Sequence, residues 1–131
     1  MSRENVEVVR RLYGLWPDRV STAEEVLDPD VVIDIGATVL TAGLYRGVDG
    51  FLRFLERIGE MWEELQVEPE ELIDAGDNVV AAVRMSGMRR GHTARAETHV
   101  FTTWTFRNGK VLRYTSYGTK RQALESVGLR E

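Results

Sequence analysis

The sequence lacks several features that define whole classes of protein. It has no cysteine, which excludes disulfide frameworks, thiolate metal sites and cysteine nucleophiles. Its longest apolar run, 79–83, is far shorter than the roughly 20 residues of a membrane-spanning helix. The net charge of −4 argues against a general nucleic-acid-binding surface. No apolar segment follows Met1–Asn5, so we expect no signal peptide, no membrane partner and a cytoplasmic location.

The composition is that of an ordinary globular protein. Hydrophobic residues make up 43% and charged residues 29% of the 131 positions, so we expect a single domain over 1–131 with its own core. The two histidines, His92 and His99, have no spacing typical of zinc ligands. We therefore predict no metal and no cofactor.

The first part of the chain is predicted to be helical. Apolar residues at spacings of three and four share one face of the opening helix: Val6, Val9, Leu12, Tyr13 and Trp16. Pro17 ends this helix, because the residue before a proline is disfavoured in helical conformation. A capping box at Ser21–Glu24 predicts a short second helix that ends at Pro29.

Two further helices have clear signals. The longest is predicted over Val48–Leu65, with Gly47 as N-cap, and one stripe carries its apolar residues: Phe51, Phe54, Leu55, Ile58, Met61, Trp62 and Leu65. A second capping box, Thr119–Gln122, predicts a last helix that ends at Gly128 in a left-handed cap.

The rest of the chain is predicted to form strands. These cover 31–35, 39–44, 66–74, 79–88, 93–106 and 111–117. Asn108-Gly109 between two strand-forming runs indicates a tight hairpin. Helices segregated from a mainly antiparallel sheet predict an α+β fold. Because long hairpins twist, we expect the sheet to curl over the helices around a cavity.

Several segments, in this order, resemble the nuclear transport factor 2-like superfamily, in its SnoaL-like and ketosteroid-isomerase-like branch. They are Arg11–Tyr13, Leu27–Val32, Tyr45–Gly50, Trp104–Val111 and Ala123–Leu129. The resemblance implies a cystatin-like, cone-shaped α+β barrel that forms a homodimer through its outer sheet face. It also implies a small hydrophobic ligand, but it does not define a reaction, since the superfamily includes enzymes and members without known chemistry.

Strand alternation predicts which side chains face the cavity. The inward set is Thr98, Val100, Thr102, Trp104 and Phe106; Val79, Ala81, Val83, Met85 and Gly87; Leu112, Tyr114 and Ser116; and Val31, Ile33 and Ile35. From this set and the helices we select ligand-binding candidates, namely Trp16, Ile35, Trp62, Met85, Thr102, Trp104, Tyr114 and Ser116. The three tryptophans could line a cavity for a flat apolar ligand or could simply fill the core.

The resemblance to ketosteroid isomerases suggests two catalytic candidates. Those enzymes carry a general-base aspartate near the end of the first strand, where this chain has Asp34 and Ile35. Plain alternation turns Ile35 inward, so Asp34 requires a bulge to reach the cavity. A tyrosine on the first helix donates to the bound carbonyl, and Tyr13 lies near that position. Their second, protonated aspartate corresponds to about Thr102, so that acid is missing here.

Three functions remain open at this point. The first is a cofactor-free isomerase, cyclase or dehydratase that moves a proton on a hydrophobic or polycyclic carbonyl compound, with Asp34 as base and Tyr13 as donor. The second is a non-catalytic, dimeric binding module with the same cavity. The third is an interaction role through the outer sheet face, which carries His99 and Phe101. The structural alternatives are a core aromatic at Tyr13 and a solvated strand end at Asp34.

Overall fold

The fold is known from a computed structural model that describes residues 2–16, 24–35 and 43–130. Three helices and six strands occur in these ranges. In chain order they are α1 (Ser2–Leu15), β1 (Leu27–Ile35), β2 (Gly43–Arg46), α2 (Gly47–Met61), β3 (Trp62–Ala75), β4 (Asn78–Arg89), β5 (Arg95–Arg107), β6 (Lys110–Tyr117) and α3 (Lys120–Ser126).

The six strands form one sheet in the order β2-β1-β6-β5-β4-β3. Only the β1–β6 pairing is parallel, and the other neighbours are antiparallel. Helices α1 and α2 bury their apolar stripes against one face of the sheet, and α3 packs on the opposite face. The predicted α+β cone is therefore confirmed. None of the described helices is long and apolar enough to cross a membrane.

The predicted hairpin turn, capping box and helix cap in the second half of the chain are all present in the structure. Asn108 and Gly109 both have positive φ, 53° and 79°, which is the conformation of a tight hairpin turn. The Thr119 side chain accepts from the Gln122 backbone N–H, and the Gln122 side chain accepts from the Thr119 N–H. Gly128 has a φ of 80° just beyond α3. Hairpin, capping box and left-handed cap are all confirmed.

The predicted inner faces of β4 and β5 are also confirmed, since their inward set is almost entirely buried. Thr98 on β5 is half-buried, and on β6 the inward residue Leu112 is only half-buried while Val111 is buried instead. The register between β5 and β6 shifts after Thr105, so that Phe106 pairs with Val111. This irregularity moves the apolar position by one residue.

The prediction of α2 was too long at its C-terminus. The helix ends at Met61, and Trp62 is already extended and paired with Arg89 on β4. Trp62 keeps the helical spacing of apolar residues, but pairing with β4 outweighs that local preference. At the other end the N-cap is Arg46, one residue before the predicted Gly47.

The start of β1 was also predicted incorrectly. The strand begins at Leu27 instead of residue 31, and it includes Pro29. Pro29 is tolerated because the pairing with β6 shifts between Leu27 and Val32, so the missing N–H leaves no ladder bond unmade. The predicted short helix begins outside the described residues, and in its described part residues 24–26 form a single 3₁₀ turn and Leu27 already begins β1.

Candidate functional site

A small hydrogen-bonded cluster lies in the core between α1 and the sheet. The Tyr13 hydroxyl, from the last turn of α1, lies 3.0 Å from Thr102 Oγ1. The Trp104 indole Nε1–H donates to the same Thr102 oxygen at 3.1 Å. Tyr114 lies beside Tyr13, which affects the pKa of the Tyr114 hydroxyl. We call these four residues the Tyr13 cluster, and all of them are buried.

The sheet brings three members of the Tyr13 cluster to one face. Thr102 and Trp104 are two residues apart on β5, and Trp104 is paired with Tyr114 on β6. Their rings meet edge to face, with centroids 4.6 Å apart for Trp104 and Tyr114 and 5.6 Å apart for Tyr13 and Trp104. Such geometry is favourable for aromatic pairs and fixes the direction of the hydroxyl groups.

Thr102 Oγ1 lies at the centre of the hydrogen bonds of the Tyr13 cluster. Tyr13 and Thr102 carry two hydroxyl hydrogens, and one bond joins the two hydroxyl groups. Trp104 can only donate, so it consumes an acceptor site on Thr102 and no hydroxyl hydrogen. One hydroxyl hydrogen therefore remains for an acceptor outside these bonds.

Burial keeps the tyrosines of the cluster protonated. It raises the pKa of Tyr13 to about 12, although hydrogen bonds from Thr102, Trp104 and Tyr114 act in the opposite direction. Burial also raises the pKa of Tyr114 well above its usual value, and the neighbouring Tyr13 adds to this effect. At neutral pH both phenols are hydrogen-bond donors and not bases.

A cavity adjoins the Tyr13 cluster. It is lined by Tyr13, Trp16, Val67, Val83, Met85, Val100, Thr102 and Tyr114. The volume open to the centre of a water molecule is only about 10 Å³, which is room for about one water. The expected ligand-sized hollow is therefore nearly filled by side chains, because the aromatic residues of α1, α2 and the sheet close over it.

Trp16 forms one wall of this cavity. Its ring centroid lies 5.9 Å from that of Tyr13 and 6.2 Å from that of Phe54 on α2. Its Nε1–H is enclosed by protein and has no hydrogen-bond partner within the described ranges. An enclosed donor without a partner is costly, and it marks a place where an acceptor would bind favourably.

On the outer side of Trp16 a groove runs between α1 and β3. It measures about 560 Å³ and is lined by Arg10, Tyr13, Gly14, Trp16, Leu65, Gln66, Val67, Glu68 and Pro69. Tyr13, Trp16 and Val67 line both the groove and the cavity. The two spaces are therefore separated by a single layer of side chains.

The structure brings together most of the residues selected from the sequence. The cavity is lined by five of them: Tyr13, Trp16, Met85, Thr102 and Tyr114. Trp104 reaches the same place through its N–H bond to Thr102. Ile35 and Ser116 are buried on the inner face of the sheet but do not line the cavity.

Two selected residues lie elsewhere. Trp62 is buried at the start of β3, and the Arg89 guanidinium lies over its ring at 5.6 Å. Asp34 lies on the outer face of β1, where its carboxylate accepts from Arg113 Nη2 at 2.6 Å. No bulge turns Asp34 inward, since pairing with β2 and β6 is regular from Val32 to Ile35. The hypothesis of a general base at Asp34 is therefore not supported by the geometry.

Val67 is the cavity residue that the sequence analysis missed. Leu65 and Val67 alternate with Gln66 and Glu68 in the sequence, which is the pattern of a half-buried strand. Assigning 62–65 to the preceding helix concealed that pattern. Applying strand alternation to this segment would have identified Val67.

Ionisable groups are concentrated away from the cavity. Its lining contains no carboxylate or imidazole from the described part of the chain. On the outer face, His99 Nε2 lies 3.1 Å from Glu70 Oε1, and Phe101 packs against the cluster that α3 covers. His92 is exposed in the β4–β5 turn. Within residues 2–16, 24–35 and 43–130, no three histidine or acidic side chains are placed to hold a metal ion.

The sequence matches the model of one protein family. The SnoaL-like domain model matches residues 9–114, which include the second half of α1, all of α2, the whole Tyr13 cluster and five of the six strands completely. No curated protein has a sequence that matches this chain significantly.

Solved structures with the same fold cover nearly the whole chain. A nuclear transport factor 2-like protein from Burkholderia thailandensis is 26% identical, with a TM-score of 0.78 over 91% of this chain and 95% of its own. A SnoaL-like protein from Jannaschia, proposed to be a polyketide cyclase, is 22% identical, with a TM-score of 0.77 over 88% and 85%. AclR from Streptomyces galilaeus, a proposed hydroxylase, is 17% identical, with a TM-score of 0.72 over 98% and 83%.

Proposed function

The chain belongs to the SnoaL-like domain family, and from this we propose that it binds a small, flat, hydrophobic compound through a hydrogen-bond-accepting oxygen. The observation that carries the proposal is the buried, neutral hydroxyl of Tyr13, held by Thr102 beside an apolar cavity. A donor in such surroundings binds an acceptor strongly, because water does not compete for it.

The lining defines the chemistry of the ligand. Val67, Val83, Met85 and Val100 make the small cavity apolar around the ligand's oxygen, while Tyr13 and its neighbours provide the polar contacts to that oxygen. Neutral phenols suit a carbonyl or phenolate oxygen. We therefore assign the ligand to polycyclic carbonyl compounds of the polyketide type, and the fold shared with a proposed polyketide cyclase supports this class.

Binding without catalysis is favoured over a reaction. Proton transfer at carbon needs a base within hydrogen-bond reach of the substrate, and the described lining offers none. A cofactor-free isomerase, cyclase or dehydratase is the second candidate, favoured by one observation, the donor at Tyr13. In that case the Tyr13 cluster would stabilise negative charge developing on the carbonyl oxygen.

Binding of the flat bicyclic ketone chromone tests the proposal. Isothermal titration calorimetry of the wild type should show saturable binding at one site. Tyr13→Phe keeps the ring and removes the hydroxyl, so the affinity should fall about fivefold to tenfold. Tyr45→Phe is the matched control, since Tyr45 packs against Phe54 outside the cavity. Absence of chromone binding, or equal affinity in all three proteins, would contradict the proposal.

We extend the proposal to a homodimer that forms through the outer sheet face. Helix α3 covers one end of this face around Val80. The open part carries ion pairs between neighbouring strands, with Arg84 beside Glu68 and Glu97. Sedimentation velocity at micromolar concentration measures the oligomeric state directly. A dimer that Arg84→Glu dissociates supports this face, and a monomeric wild type contradicts it.

A further inference from the structure

We propose that the groove between α1 and β3 holds the body of the ligand, and that the Trp16 indole N–H is a second donor to the ligand's oxygen. The inference rests on the proposed function and adds the place, the entrance and a specificity residue. Three independent features of the structure lead to it: an unpartnered donor, a shared wall and a glycine without a local role.

The unpartnered donor is Trp16 Nε1–H. An indole nitrogen can donate but not accept, so only an acceptor can satisfy it. Trp16 and Tyr13 line the same cavity, which is large enough for about one water molecule. In the proposed complex one oxygen atom occupies this place and accepts from both residues. A carbonyl or phenolate oxygen fits this arrangement, whereas a hydrocarbon of the same shape leaves the Trp16 N–H without a partner.

The shared wall explains how a larger molecule reaches that oxygen position. Trp16 immediately follows α1, and its backbone N–H makes a 3.3 Å bond to the Tyr13 carbonyl. Its side chain separates the cavity from the groove. Rotation of the indole would join the two spaces into one. The apolar body of the ligand would then lie on Leu65 and Val67, with its oxygen directed inward.

The glycine is Gly14, in the last turn of α1. It is exposed, its φ is not positive, and no atom lies within 4 Å of the place where a Cβ would stand. Glycine in a helix is unfavourable relative to alanine, and here neither backbone conformation nor packing requires it. Gly14 does line the groove, so any larger side chain would project into the proposed ligand site.

Nuclear magnetic resonance tests the donor. Trp16, Trp62 and Trp104 each contribute one indole N–H resonance, which single Trp→Phe variants assign. Chromone should shift the Trp16 resonance most strongly. Naphthalene has a similar shape but no acceptor, and it should not produce the downfield shift of a newly hydrogen-bonded proton. Trp16→Phe should weaken chromone binding about fivefold, and Trp62→Phe should leave it unchanged.

Substitution of glycine tests the groove. Gly14→Leu should lower chromone affinity at least about tenfold by filling the groove, while its higher helix propensity preserves folding. Gly59→Leu is the matched control, because Gly59 is also an exposed helical glycine with no atom within 4 Å of its Cβ position, and it lies outside the groove.

The outcomes separate this inference from the proposed function. If Tyr13→Phe weakens chromone binding while Trp16→Phe and Gly14→Leu do not, the ligand enters elsewhere and the inference is overturned, but the proposed function stands. If chromone does not bind to the wild type, both are overturned. Loss of affinity in Tyr13→Phe, Trp16→Phe and Gly14→Leu, with both controls unchanged, supports both.

Discussion

The hydroxyl oxygens of Tyr13 and Thr102 lie 3.0 Å apart in the core, although 89 positions separate the two residues. The bond joins the last turn of α1 to the centre of β5. It holds a neutral phenol at the edge of an apolar cavity, and the proposed ligand interaction depends on that position.

The raised pKa values of the two buried tyrosines predict an alkaline transition. Since the folded-state pKa of Tyr13 is about 12 and the ordinary value is 10.0, the folded protein holds its proton more tightly. The contribution of Tyr13 to the free energy of unfolding should therefore be fully present below pH 10 and should be lost as the pH rises toward 12. Tyrosinate absorbance should show a late ionisation step that the double variant Tyr13→Phe, Tyr114→Phe lacks. A late step that persists in this variant would contradict the assignment.

Asp28 should contribute to stability in a pH-dependent way. Its carboxylate accepts from the Asp30 N–H at 2.8 Å and from Arg107 Nε and Nη2 at 3.1 and 2.9 Å. The backbone bond and the guanidinium lower the pKa of Asp28 below 3.8, so its contribution is present above that pH and is lost as the pH falls further.

Thermal unfolding at neutral pH and at about pH 3 measures this contribution. Asp28→Asn should melt at a lower temperature than the wild type at neutral pH, and the difference should shrink in acid. Asp77→Asn serves as control, because Asp77 is exposed in the β3–β4 turn. An equal difference in melting temperature between the wild type and Asp28→Asn at both pH values would show that Asp28 acts through packing and not through its charge.

Gly87→Ala and Gly59→Ala should change stability in opposite directions. A Cβ at Gly87 would stand 3.0 Å from the Glu63 carbonyl oxygen and 3.1 Å from Leu65 Cα, both on the irregular part of β3. Because the backbone of β3 must move to make room, we expect Gly87→Ala to lower the free energy of unfolding by about 1–3 kcal/mol. Gly59→Ala meets no atom within 4 Å and should stabilise α2 by about 0.5–1 kcal/mol. Urea unfolding measures the free energy of unfolding of both variants. A Gly87→Ala variant as stable as the wild type would contradict the close approach of the β3 backbone to Gly87.

Asp34→Asn should leave ligand affinity unchanged. The carboxylate is paired with Arg113 on the outer face of the sheet, whereas the cavity lies on the inner face. Chromone titration of Asp34→Asn should therefore give the wild-type dissociation constant, with Arg113→Gln as a second test of the same pair. A large loss of affinity in Asp34→Asn alone would restore this residue as a candidate base.

Much of the fold could be predicted from the sequence because the signals are local. Alternation assigned the inner faces of β4 and β5, Asn108-Gly109 set a hairpin, and the Thr119–Gln122 box set the start of α3. The same alternation selected Met85, Thr102 and Tyr114, which the structure places around one cavity.

The remaining features depended on contacts between distant segments. Trp62 continues the apolar spacing of α2, but its pairing with Arg89 makes it the first residue of β3. The regular pairing of β1 with both of its neighbours is what places Asp34 on the outer face. Its ion-pair partner, Arg113, lies 79 positions away in the chain. No local pattern contains such information.

The sequence by itself determined most of the helices and strands and the inner faces of β4 and β5, because backbone periodicity and turn chemistry act over a few residues. Only the tertiary structure decided that the cavity is almost filled, that the Tyr13 hydroxyl is held by Thr102, and that the Trp16 N–H has no partner in the described chain. Packing and hydrogen bonds between α1 and the sheet set these properties, since they arise when residues far apart in the chain share one small volume.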